Sequence, residues 1–144
     1  FKYAFVAILF GGGPVLFIVT QLILQLDPWY TPSFIIPLAG MIFSSSMNGV
    51  SLASERMQAE INRGIKYSDA ERIAFNASLI PVINSLFAVG LVSLPGMMTG
   101  QILSGVSPLI SVRYQIMVMC MIFSSVGLSS FIFLVLIRFD NIKT

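Results

Sequence analysis

Residues Tyr114–Ile137 read YQIMVMCMIFSSVGLSSFIFLVLI, 24 residues without a single charge. An α-helix needs about 20 apolar residues to cross roughly 30 Å of hydrocarbon, so this stretch is long enough to span a bilayer. Working outward, the other charges leave three more runs. Tyr3–Leu26 is a further 24 uncharged residues, and Pro28–Ser54 is uncharged with its apolar body from about Phe34 onward. Ile73–Val112 is uncharged for 40 residues, too long for one ordinary span. The runs are continuous and lack the alternating ten-residue pattern of outer-membrane strands, which favours helices over a barrel. The expected fold is all-α, a polytopic transmembrane bundle of about four spans.

Composition agrees. The 144 residues are 56% hydrophobic and 10% charged, with mean hydropathy +0.91, against about 25% charged in soluble domains. Such a chain cannot cover its own surface in water. It has no His, which removes histidine-ligated metal sites, Ser-His-Asp triads and imidazole catalysis. A lone Cys120 forms no intrachain disulfide or thiolate cage. The net charge of +2 is too small to imply nucleic acid.

Lys and Arg set orientation. Arg56, Arg63, Lys66 and Arg72 lie between the second and third runs, Lys2 precedes the first, and Arg138 and Lys143 follow the last. The connection Asp27–Pro32 has no basic residue and carries the interfacial pair Trp29-Tyr30. The expected topology therefore has four crossings, both termini and the basic loop cytoplasmic, and Arg113 as one violation. Within the long third run, a helix from about Ala77 to Ser93 meets Leu94-Pro95-Gly96, where proline and glycine interrupt regular structure. A broken or re-entrant segment is expected near 94–105. The chain opens at Phe1 without a signal-peptide pattern, because its first apolar run is too long for an h-region. The expectation is part of a longer protein, with residues 1–144 belonging to one transmembrane domain.

The polar loop at about 55–75 carries two signals. Met57, Ile61 and Ile65 recur at helical spacing, with Glu60 and Arg63 placed to pair. Gly64 reads as a helix stop, and Ser68-Asp69-Ala70-Glu71 as a capping box opening the next helix. This predicts a helical hairpin with a charged tip, either a docking surface or a solvated loop that sets topology. Small residues four apart (Gly40/Ser44, Ser45/Gly49, Gly96/Gly100, Ser125/Ser129) allow close helix approach. Met117, Met119 and Met121 around Cys120 suit copper(I), but methionine is more often a flexible filler. Asn48, Asn84 and Gln101 must find hydrogen bonds in a bilayer, as helix stitches or on a substrate path. Glu55 sits at the inner interface, where it could meet a cation. No HExxH motif and no GxxxxGK[ST] phosphate loop occurs, so any ATP hydrolysis falls to another chain.

Longer motifs point to a family. Trp29-Tyr30-Thr31-Pro32, Ile36-Pro37-Leu38-Ala39-Gly40-Met41-Ile42, Ser46-Met47-Asn48 and Leu79-Ile80-Pro81-Val82-Ile83-Asn84-Ser85 belong to the match. So does the uninterrupted Val89–Leu103 run, VGLVSLPGMMTGQIL. Together they resemble the FetB/YbbM permeases, related to the plant aluminium-tolerance half-transporters, over nearly all of residues 29–123. The resemblance implies a permease subunit of an ATP-binding-cassette exporter in the cell membrane. Bacterial members are described as iron exporters and plant relatives are linked to nucleotide sugars. It also implies a separate FetA-like ATP-binding subunit carrying ATP-Mg, no cofactor on this chain itself, and a permease homodimer in a two-plus-two complex. Asn48, Asn84, Met97, Met98, Thr99 and Gln101 are then the substrate-path candidates. Glu55, Arg56, Glu60, Arg63, Lys66 and Arg72 form the ATPase-docking loop. Family members carry further upstream spans and a cytoplasmic loop longer by about twenty residues. The rivals are an ATP-independent channel whose break forms a selectivity re-entrant, and a structural subunit with no path.

Overall fold

Backbone amides have no water to bond inside a bilayer, so the uncharged runs close their hydrogen bonds within helices. The computed structural model describes residues 2–28, 30–91 and 96–143. Helix α1 covers Lys2–Phe17 and continues as π-helical turns over Ile18–Ile23; α2 covers Pro32–Asn62, α3 Tyr67–Leu91, α4 Gly96–Leu103 and α5 Pro108–Lys143. Four helical stretches are long and apolar enough to cross a membrane: Lys2–Ile23, Pro32–Asn62, Tyr67–Val89 and Pro108–Asp140. Trp29 and the Leu94-Pro95 break lie outside the described residues.

The hairpin between α2 and α3 is helical on both sides of Gly64, as expected, but its helices are continuous with the spans. Helix α2 runs unbroken for 31 residues, about 46 Å at 1.5 Å per residue. That exceeds the hydrocarbon thickness, so its last turns project past the membrane. Helix α3 begins ten residues before the expected Ala77 and carries the loop's second half into the span. Only 63–66 form the tip. Gly64, at φ +80°, ends α2 in a Schellman turn. Its N–H donates to the Ile61 carbonyl at 2.9 Å and that of Ile65 to the Glu60 carbonyl at 3.2 Å. The first amides of α3 close on the Lys66 carbonyl, from Ala70 at 2.9 Å and Asp69 at 3.0 Å. The helix thus starts one residue ahead of the expected Ser68 cap. The same turn chemistry ends α4 at Gly105 (φ +89°), with Val106 N–H on the Gln101 carbonyl at 3.0 Å.

Prolines inside α1, α2 and α3 (Pro14, Pro37, Pro81) each remove one helical donor. Local hydroxyls donate to nearby carbonyls: Ser78 to Phe75 at 2.7 Å, Ser85 to Pro81 at 2.8 Å, and Thr20 to Leu16 at 2.9 Å. Such back-bonding is how serine and threonine satisfy themselves in a helix without water.

Helix α5 touches every other helix. Two apolar clusters form the core. One, toward the hairpin, gathers Ala7, Val50, Ala53, Met57, Ala74 and Phe133; the other gathers Val15, Val19, Leu38, Ile42, Val118 and Met121. Between them on three of the helices lie small residues: Gly11 and Gly12 on α1, Ser46 and Gly49 on α2, Ser125, Ser129 and Ser130 on α5. All of these are buried. A Cβ on Gly11 would meet Ser129, lying 2.6 Å from its Cα, and one on Gly49 would lie 2.5 Å from Val126 Cγ1. Backbones therefore approach closely at this waist, the physical use of small residues in membrane bundles. Tyr3 closes the hairpin-side end, its hydroxyl donating to Asp140 Oδ1 at 2.8 Å. That contact brings the two ends of the chain to the same side, as the charge distribution predicts.

Candidate functional site

At the level of the waist, the wedge between α2, α3 and α5 opens into a cavity of about 450 Å³. Helix α2 lines it with Ser45, Asn48 and Gly49, α3 with Ser78, Pro81, Val82, Ser85 and Val89, and α5 with Met119, Ile122 and Val126. These positions follow helical periodicity: 78, 81, 82, 85 and 89 share one stripe of α3, and 119, 122 and 126 one stripe of α5. The cavity is mostly apolar with a few convergent polar groups (one amide, three hydroxyls and a thioether), the composition of a small-solute site. At roughly 30 Å³ per water, its volume holds about fifteen waters, far more than a bare ion needs. No charged side chain lines it.

The candidate residues separate into three places. Asn48 and Asn84 are both exposed within this chain; Asn48 lines the cavity and Asn84 does not. Met97, Met98, Thr99 and Gln101 ride on α4, which packs on α5 away from the cavity. Met97 joins the second apolar cluster, and Gln101 buries an Oε1 without a hydrogen bond. Ser78 and Ser85 were not singled out by the sequence, and Met119 was noted only among the methionines around Cys120. The available cue was two serines seven apart around Pro81 in an otherwise apolar run.

In the hairpin, Glu55, Arg63, Lys66 and Arg72 are exposed and Arg56 is partly so. Glu60 is different: it is 2% exposed. Its Oε1 meets Arg56 Nη2 at 2.7 Å and Arg63 Nη1 at 3.1 Å. Glu60 therefore shapes the tip from within, and presents no carboxylate to a partner.

The methionines around Cys120 diverge. Met121 is buried and Met117 half-buried in the second cluster, Met119 faces the cavity, and Cys120 is exposed. Among the described residues no group of three His, Cys, Asp or Glu could hold a metal ion. A core role makes a definite prediction. Met121→Leu, a volume-conserving swap, is expected to cost less than about 1.5 kcal/mol in thermal unfolding. Copper(I) is expected to leave the melting temperature unmoved; a copper-dependent rise abolished by the swap would reinstate the metal reading.

Comparison with known proteins follows this geometry. The chain is 42% identical over 123 residues to "UPF0014 membrane protein slr1647" of Synechocystis, covering 75% of this chain and 48% of that one. It is 36% identical over 147 residues to "Probable iron export permease protein FetB" of Escherichia coli, covering 92% and 56%. With "Protein ALUMINUM SENSITIVE 3" of Arabidopsis thaliana it shares 32% identity over 145 residues, covering 90% and 52%. The chain spans about half the length of the curated relatives it matches. No solved structure matches it. Residues 1–140 match "Uncharacterised protein family (UPF0014)", and the chain belongs to that family of multi-pass membrane proteins.

Proposed function

We propose that this chain forms part of the permease of an ATP-binding-cassette exporter, with the waist cavity as a segment of its substrate path. The supporting observation is the Asn48 cavity, a mostly apolar space that gathers an amide and three hydroxyls between otherwise apolar helices. Polar side chains at membrane depth mark pathways because the bilayer otherwise penalises them. Iron is the substrate proposed, on the strength of the name borne by the E. coli relative. The donors offered here are neutral amide and hydroxyl oxygens, which suit a hard cation that keeps part of its own shell. The volume has room for such a shell.

The helix geometry suggests how work reaches the cavity. ATP, with Mg, is hydrolysed on a separate FetA-like subunit, and two such subunits meet two permeases. The tip at 63–66 receives their closure. Asn48 sits 14 residues from the end of α2, about 21 Å along one continuous helix. A push on the tip therefore tilts Asn48 against Ser78 and Met119 as a lever rather than through a loop. Nucleotide binding by the closed subunits would shift the population of inward- and outward-facing states.

The test is iron flux in proteoliposomes holding the full-length permease and its ATPase. Flux that stops with a hydrolysis-dead ATPase supports the reading. Asn48→Leu, close in size but without the amide, is expected to lower that flux at least tenfold at unchanged melting temperature. Asn84→Leu, on the outer face of α3, is expected to leave it within twofold. Flux without ATP would replace the exporter with a channel, and movement of a nucleotide sugar instead of iron would keep the machine and change its cargo. Normal assembly with no flux of any solute would leave a structural subunit.

A further inference from the structure

We propose that the groove between α3 and α5 is a binding site for one anionic phospholipid of the leaflet on the hairpin side. It rests on membrane embedding alone, independent of what is transported.

The groove has two chambers that share Phe75 and Phe131. The upper, about 580 Å³, is lined by apolar groups including Leu79, Phe123 and Gly127. The lower, about 250 Å³, is lined by Ser68, Glu71, Arg72 and Leu134. Phe75 and Phe131 meet edge-to-face at 6.3 Å and form the neck. So the trough is greasy along its length apart from Ser124, and charged only at its mouth.

Charge at the mouth selects the headgroup. Glu71 is already engaged by Arg138, Oε2 to Nη1 at 3.9 Å. Arg72 has no ion-pair partner among the described residues and is exposed in the same chamber. An unpaired guanidinium beside the Ser68 hydroxyl is suited to bidentate recognition of a phosphate. Length agrees as well. From Arg138 to Phe123 is 15 residues of α5, about 22 Å, which is half of a 40–45 Å bilayer including its headgroups. One lipid with its phosphate on Arg72 and a chain lying past Phe75 toward Phe123 fills this dimension. Glu71 within the mouth keeps the demand for charge to a single phosphate.

The experiment takes the full-length protein in nanodiscs of equal phosphatidylglycerol and phosphatidylcholine, releases it in the mass spectrometer, and counts retained lipids. Phosphatidylglycerol is expected to be retained about fivefold over phosphatidylcholine, the preference that one interfacial arginine supplies. Arg72→Gln is expected to bring the ratio to parity. Gly127→Leu places a side chain in the upper chamber, where a Cβ already makes only ordinary contact with Leu79 at 3.9 Å. That variant is expected to fold and to lose the retained lipid altogether. Lys2→Gln, also at the hairpin end of the bundle but off the groove, is expected to keep the preference. Equal retention of the two lipids in the unmodified protein overturns the site, as does a preference that survives both Arg72→Gln and Gly127→Leu. Absence of any retained lipid overturns it too, since protein would then cover the groove.

Discussion

Replacing Gly11 by alanine is expected to destabilise the bundle by about 2–3 kcal/mol, the range for forcing an extra carbon into a filled interior. The added Cβ would fall on Ser129, meeting its side-chain oxygen and lying 2.6 Å from both its backbone nitrogen and Cα. A backbone cannot rotate out of the way. Helix α1 must instead move off α5, and because Ala7 and Val15 belong to the two different clusters, both cores loosen together. Neighbouring glycines provide an internal scale. A Cβ on Gly49 also collides, but with Val126 Cγ1, a side chain able to change rotamer, so Gly49→Ala is expected to cost about 1–2 kcal/mol. Gly13 has nothing within 4 Å, so alanine there is expected to be neutral or to stabilise by up to about 1 kcal/mol through helix propensity. Thermal or denaturant unfolding of the three variants in detergent reads the order directly. If Gly11→Ala and Gly13→Ala behave alike, α1 and α5 are not in close contact, and the waist described here is wrong.

This order was only partly legible in the sequence. Gly11-Gly12-Gly13-Pro14 lies in an apolar run, and nothing local says which glycine faces a neighbour. All three sit on one helix, and rotation about its axis is fixed only by the partners. Ser129 was flagged through its spacing from Ser125, whereas its actual partner lies on another helix. The spans themselves were readable because charge is absent where hydrocarbon must be, a cost that needs no knowledge of neighbours.

The hairpin was legible in the Met57/Ile61/Ile65 stripe, the Gly64 stop and the cap near Ser68, whereas the continuity of its two helices with the spans was not. The real loop shrinks to 63–66. Of the six path candidates, Asn48 alone lines the waist cavity. Asn48 lies in the cavity because α2 presents it on the stripe shared by Ser45 and Gly49. Asn84 looks equivalent in composition, but it stands about 120° around α3 from the centre of the stripe that Ser78, Val82 and Ser85 share. Polar character in an apolar run thus identifies residues that need a partner; it does not say whether that partner is a cavity, another helix or the membrane interface.

Glu60→Ala is expected to have the other large effect, and to separate shape from contact at the hairpin. Truncating one member of a buried charge group costs 3–5 kcal/mol when all members are desolvated. Here Arg56 and Arg63 keep side-chain exposures of 43% and 64%, and water recovers much of that loss, leaving about 1–3 kcal/mol. A carboxylate near a helix C-terminus opposes the helix dipole, so Glu60 is not there to favour the helix. Its place is explained by Arg63, the residue that caps α2: the 3.1 Å contact ties the cap back to the helix and holds the Schellman turn. Losing it should fray the tip while the spans stay folded. Glu60→Ala is therefore expected to lower the melting temperature and, on the proposed function, also to weaken stimulation of the ATPase proposed as its partner. Lys66→Ala, at an exposed tip position, is expected to weaken stimulation without changing stability. Glu60→Gln keeps an acceptor for both arginines and should fall between. Measuring melting temperature and permease-stimulated ATP hydrolysis on the same preparations distinguishes the roles. If Glu60→Ala changes neither, the buried pair is incidental; if Lys66→Ala changes neither, the tip is not where the ATPase is felt.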